Sequence, residues 1–310
     1  SSDVVSHAYN AQGQEVYRKD QAGNVFDIEY DDAGRETHRR VTTLASGFDG
    51  AVRRQSRTYD GLHRPSLVTQ YDAATSGNAT DEVAYTYDGW SGVTTYKQDK
   101  DGAVGASGFY EMAYAYAKAT TGRNTVRRSQ MTLPGGKVVD LVYTVDKDAS
   151  CSRVSRLTSA GVILAGYGYL GAGRVVRTTH AQPNIASKSF DPSTEDYDGY
   201  LDRFNRLVKN VWASTTPNPD VNFYDVDISY DRNSNITWVE DNVHVGFDVK
   251  YTMDDLDRLI DAEDGTRSGA SITTRKRHQT WTTLDHVGNW DRSKLDLDGD
   301  DNWNETDEYD

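Results

Sequence analysis

A chain of 310 residues with a formal charge of −14 and a pI near 4.9 is poorly suited to grip a phosphate backbone, because that binding depends on basic patches that displace counterions. Only 36% of its residues are hydrophobic and the mean hydropathy is −0.75, so any fold must come from where the apolar residues stand rather than from how many there are. Cys151 is the single cysteine, which excludes an internal disulfide and a thiolate metal cluster, and there is no run of about 18 apolar residues to span a membrane as a helix.

The chain opens Ser1-Ser2-Asp3 with neither Met nor a signal peptide, and is expected to be processed or excised from something longer. Further on, apolar residues alternate with polar or small ones. Phe26, Ile28 and Tyr30 do so first, then Val83, Tyr85 and Tyr87, then Val226, Ile228 and Tyr230. Val245, Phe247, Val249 and Tyr251 give the cleanest run. Period two is the mark of a strand with one face buried, and no stretch of comparable length shows a period of 3.6. The fold class is therefore all-β, with Tyr, Val and Ile expected on one face and Thr, Arg, Asp and Lys on the other.

The strands belong to a repeat. Anchors that close each apparent strand stand at Tyr9, Tyr30, Tyr59, Tyr87, Tyr116, Tyr143, Tyr169, Tyr200, Tyr230, Tyr251, Trp281 and Tyr309, never fewer than 21 nor more than 31 residues apart. After the anchors comes a shared frame: Asp31 to Arg35, Asp60 to Arg64, Asp202 to Arg206 and Asp254 to Arg258. Leu170 to Arg174 lacks the leading Asp, while Asp231 to Asn235 and Asp285 to Asn289 replace Arg by Asn. The fourth place holds Gly34, His63, Asn205, Asp257, Gly173, Ser234 or Gly288, mostly types that tolerate a left-handed backbone. This pattern predicts a type I turn followed by a left-handed residue, with the Asp accepting backbone N–H bonds and the Arg reaching back to it. Second turns are predicted at Gln21–Asn24, Asp49-Gly50, Asp99–Gly102, Pro134–Gly136 and Asp264-Gly265. Each unit is thus two strands and two turns, about eleven units of roughly 27 residues in a single array over 1–310.

At Tyr30-Asp31…Gly34-Arg35, Tyr59-Asp60…Arg64, Tyr87-Asp88-Gly89 and Tyr230-Asp231 through Thr237, the sequence resembles the YD-repeat family. That family includes the bacterial Rhs shells, the shells of toxin complexes and the teneurins. The resemblance implies tandem β-hairpins in a spiralling antiparallel sheet, as an open shell, tube or fibre wall, often around a polypeptide. Rhs shells usually end in an Asp-Pro-x-Gly-Leu self-cleavage segment, which Asp191-Pro192-Ser193 does not match, and a typical shell uses far more repeats.

One local motif stands apart. Asp296, Asp298, Asp300, Asn302, Asn304 and Asp307 place oxygen donors through a twelve-residue loop, 296–307, spaced as in EF-hand and dockerin calcium loops. Asp301 stands where EF-hands want Gly, and no amphipathic helix flanks the loop, so the competing reading is an acidic linker. Calcium is the only cofactor expected, and no organic one. The histidines His7, His38, His63, His180, His244, His278 and His286 form no ligand pair, and no enzyme site emerges. Six Trp and twenty Tyr suit cross-strand packing better than a carbohydrate-binding face. Sequons at Asn78, Asn235 and Asn304 are near what chance supplies.

The sequence thus reads as a non-enzymatic, secreted or cell-surface wall segment of a shell or self-assembling filament. Its expected partners are other copies or further repeats of a longer chain, with no nucleic acid and no membrane span. A shell enclosing a toxin or effector, and a carbohydrate or adhesion module, are the alternatives.

Overall fold

The structure is a computed structural model and describes residues 4–105, 108–118, 126–143, 146–188, 199–216, 219–300 and 302–308. Tyr309, Asp301 and Asp191-Pro192-Ser193 lie outside the described residues. Among the described residues there are twenty-three strands and one short helix, Asp146–Ser150. Contacts group the chain into two compact units, one of residues 1–142 with 158–161 and the other of 143–157 with 162–310.

Each unit is an antiparallel meander in which a strand pairs with its sequence neighbours. In the first unit Val25–Tyr30 pairs with Glu36–Thr43, Arg54–Tyr59 with Pro65–Tyr71, and Ala79–Tyr87 with Val93–Asp99. In the second, Lys209–Ser214 pairs with Val221–Tyr230, Asp248–Met253 with Leu259–Ser268, and Ser271–Leu284 with Trp290–Asp296. The same hairpin recurs in both units. Its signature is a one-residue register shift just before the turn, as between Thr58 and Tyr59, Thr86 and Tyr87, and Ser229 and Tyr230.

Among the described residues, buried apolar ones are few and mostly small or β-branched: Ile28, Val139, Ala165, Val176, Ala186, Leu201, Val211, Ala213 and Val226. The expected division into an apolar and a polar face is not kept. Ser56, Thr69 and Glu82 form a buried row, successive partners across three strands. The row is tolerated because each of its side chains has a hydrogen-bond partner, as buried polar groups require. Thr69 Oγ1 donates to Glu82 Oε2 at 2.6 Å, Val104 N donates to Glu82 Oε1 at 2.9 Å, and Ser56 Oγ lies 2.8 Å from His38 Nδ1.

Two sequence expectations fail for local reasons. The run from Val245 to Tyr251 is not one strand: the strand begins at Asp248, and Val245 stands 86% exposed in the preceding turn. Asp241 Oδ1 accepts the N–H groups of Val243 and His244, Asp248 Oδ1 accepts that of Asp241, and Gly246 has φ of 82°, so a capped turn outcompetes the alternation. Nor is Asp264-Gly265 a turn. Gly265 lies inside the strand Leu259–Ser268 at a register shift, where a Cβ would meet Thr274 O at 2.1 Å. Its glycine serves a close backbone approach.

Candidate functional site

The repeated turn is built from the aspartate outward. In the Asp60 turn, His63 N donates to Asp60 O at 3.0 Å and Asp60 N to Arg64 O at 2.8 Å. The side chain then fastens the same residues: Asp60 Oδ1 accepts Leu62 N and Arg64 N, and Oδ2 accepts Arg64 Nε at 2.7 Å. Asp31, Asp202 and Asp254 repeat this with Arg35, Arg206 and Arg258. Asn235 and Asn289 make the shorter version by donating Nδ2 to Asp231 and Asp285. The fourth place is left-handed as expected, with φ of 77° at Gly34, 64° at His63, 64° at Asn205, 75° at Ser234, 62° at Asp257 and 94° at Gly288. The Leu170 copy differs, for there Gly171, not Gly173, takes the positive φ of 60°. Hydrogen bonds hold these carboxylates ionised. The Arg35 side chain lowers the Asp31 pKa, the Arg64 backbone that of Asp60, and the Arg258 side chain that of Asp254.

What the repeat frame did not disclose is that each turn is tied to the next. Arg64 Nη1 donates onward to Asp88 O at 3.0 Å and Ser91 Oγ at 3.1 Å, and its guanidinium lies 4.3 Å from the centre of the Tyr87 ring. Arg206 does the same with Asp231 O, Ser234 Oγ and Tyr230, the ring 4.5 Å away. Arg35 stacks on Tyr59 at 4.4 Å, Asn235 Nδ2 reaches Asp257 Oδ1 at 2.7 Å, and Arg258 reaches Asp285 O. The tyrosine completes the tie by donating its hydroxyl backward. Tyr59 bonds Glu36 O at 2.8 Å, Tyr87 bonds Pro65 O at 2.6 Å and Tyr230 bonds Leu207 O at 2.8 Å, in each case the residue just after the previous turn. Tyr30, Tyr116 and Tyr169 donate to Glu15 O, Val93 O and Val154 O likewise. The signal was present in the Tyr, never Phe, that stands before Asp31, Asp60, Asp88 and Asp231. Tyr200, Tyr251 and Trp281 are out of this frame, because Leu201, Met253 and Leu284 directly precede the turns at Asp202, Asp254 and Asp285.

The acidic loop is the second candidate. Carboxylate oxygens of Asp296, Asp298 and Asp300 lie within 4.8 Å of one another, with Asp296 fully buried and the other two exposed. Asp296 Oδ1 accepts Gly299 N at 2.8 Å. Desolvation first, then the hydrogen bond to Asp296 and the charge of Asp300, push the Asp298 carboxyl up. Asn302 donates both its backbone N and its Nδ2 to Asp300, and Asn304 Oδ1 accepts from Leu297 N. Asp307 lies on the strand Glu305–Glu308, opposite Ser293. Three of the six sequence-derived donors therefore converge, two brace the loop from within, and one stands on the neighbouring strand.

Histidines pair singly with acids, His278 with Asp261 at 2.8 Å and His244 with Asp241 at 3.2 Å. Burial, followed by the charge of Arg40, lowers the pKa of His38, whose partner Ser56 is buried. The sequon asparagines are all engaged: Asn78 donates to Asp72, Asn235 to Asp231 and Asp257, and Asn304 accepts from Leu297.

No family profile matches the chain, and no curated protein does. Solved structures do. The chain is similar to the crystal structure of TcdB2-TccC3, at 15% identity over 97% of this chain and 17% of the other, with a TM-score of 0.57. The same complex without its hypervariable C-terminal region gives 16% identity over 97% of this chain and 16% of the other, with a TM-score of 0.56. The Photorhabdus luminescens Tc holotoxin pore with the TccC3-D651A mutation gives 15% identity over 94% and 16%, with a TM-score of 0.54. The chain spans about a sixth of the length of these proteins. Their shells are built from YD repeats, and the all-β antiparallel hairpin fold described here is the YD-repeat fold.

Proposed function

We propose that this chain is a structural wall segment of a secreted or cell-surface YD-repeat assembly. The observation that supports this reading is the tie between turns. An Arg or Asn reaches forward from one turn and, where Tyr precedes the next, its hydroxyl reaches backward, so neighbouring hairpins complete one another, which is the logic of an extendable wall. The strands Ser6–Tyr9 and Glu305–Glu308 each pair with one neighbour among the described residues and are exposed throughout. Such edges invite pairing with further strands. Similarity to toxin-complex structures favours a shell over a filament, and an enclosed toxin or effector is the reading's natural extension.

The test is light scattering over a concentration range, combined with hydrogen exchange at the two end strands and electron microscopy of the particles. Association that slows exchange at 6–9 and 305–308 is expected. A concentration-independent monomer with both end strands exchanging freely overturns the proposal.

A further inference from the structure

In the second unit the turns Asp202–Arg206 and Asp231–Asn235 are linked through Arg206, and an open hollow of about 500 Å³ lies between them. Arg203, Arg206 and Arg232 line it together with Phe204, Tyr230 and Ser234. Arg206 is committed to the scaffold, through Asp202, Asp231 O and Ser234. The Asp231 carboxylate is likewise occupied, by the N–H groups of Asn233 and Asn235 and by Asn235 Nδ2. Arg203 and Arg232 differ. Both are exposed, and neither forms an ion pair among the described residues. Two unpaired guanidinium groups beside Phe204, which is 63% exposed and 4.9 Å from Arg203, are unusual on a chain of charge −14. The combination suits closely spaced carboxylates that carry an apolar group.

That chemistry exists elsewhere on the same unit. Successive turns of a meander fall on alternate edges. The turns at Asp202, Asp231, Asp254 and Asp285 share one edge, and the loop between Asp296 and Glu305 lies on the other. This loop presents the exposed carboxylates of Asp298 and Asp300, the latter also accepting Asn302 N and Nδ2, beside Leu297, 54% exposed, and Trp303, 37% exposed with its ring 5.0 Å from that of His278. Lying on the opposite edge, it does not meet the hollow of its own unit; only another copy brings the two together. We propose that the hollow between Arg203 and Arg232 receives this acidic loop from a second copy of the chain, with the arginines pairing to Asp298 and Asp300 and Phe204 packing on Trp303. The contact is heterologous, so it propagates sideways. It rests on the reading of the chain as a self-associating wall, but uses the turn edges and not the end strands.

Charge reversal tests it, with chelator present so that no metal bridges the loop. Arg203→Asp/Arg232→Asp and Asp298→Lys/Asp300→Lys are each expected to weaken sideways association in sedimentation velocity by about tenfold or more, and mixing the two variants to restore it. Arg203→Ala/Arg232→Ala, at exposed turn positions that tolerate Ala, is expected to show a milder loss with its melting temperature unchanged. Undiminished association in the arginine variants, or a loss that mixing does not repair, overturns the proposal. End-strand protection at 6–9 and 305–308 is expected to persist in every variant, so failure of this contact is distinguishable from failure of the wall reading.

Discussion

The hydroxyl of Tyr59 donates to Glu36 O while its ring takes the guanidinium of Arg35, so one side chain fastens two neighbouring hairpins through two different chemistries. Tyr59→Phe keeps the ring and strands a part-buried carbonyl. The expected cost is about 1 kcal/mol, the net worth of one hydrogen bond, with little change in the stacking; chemical denaturation of the variant checks it. The aspartate beside it gives a pH signature. The Asp60 pKa is lowered from 3.8, chiefly by the Arg64 backbone N–H. A carboxyl lowered on folding contributes stability that is present above its unfolded pKa and is lost as pH falls through its folded pKa. The difference in melting temperature between wild type and Asp60→Asn is therefore expected to be full above the ordinary carboxylate pKa of 3.8 and to be lost as pH falls through the lower folded-state pKa. A difference that grows on acidification would mean that the turn favours the protonated acid.

At the scale of the hairpin, period two and the Asp-x-x-x-Arg frame were enough to read most strands and every left-handed fourth place except Gly173, because those depend on neighbours in sequence. Ties between hairpins were not legible. Arg64 and Ser91 are distant along the chain, and only the folded register brings Nη1 to that hydroxyl. The strand read from Val245 failed because alternation says nothing of the hydrogen bonds that Asp241 and Asp248 offer a competing turn. The acidic loop was legible in part. Spacing identified Asp296, Asp298 and Asp300, but not that the chain would return as a strand carrying Asp307 opposite Ser293. The calcium expected from this spacing has a readout in the same loop. Calcium is expected to raise the melting temperature, and Asp298→Asn/Asp300→Asn to abolish the rise. A wild-type melt unmoved by chelator and by added calcium leaves the loop an acidic linker.

Across the whole molecule, the small buried core and the neighbour-only pairing imply that stability is distributed along the array and not concentrated at one centre. Each hairpin owes part of its free energy to the next, through Arg, Tyr and the shared ladder, so a defect propagates chiefly to adjacent units. Such systems open in segments whose protection varies along the chain. Arg206→Ala with Tyr230→Phe removes the guanidinium bonds to Asp231 and Ser234, the stacking, and the hydroxyl bond to Leu207 O in one place. Because the two residues touch, their effects are expected to be non-additive, with a coupling of about 0.5 kcal/mol or more in a double-mutant cycle. Hydrogen exchange then reports where the loss goes. Protection is expected to fall in Lys209–Ser214, Val221–Tyr230 and Ile236–Asp241, and to stay at the wild-type level in Arg54–Tyr59 and Pro65–Tyr71 of the first unit. An equal fall in both units would show that the array unfolds as one cooperative body, and the neighbour-by-neighbour account of the wall would have to be given up.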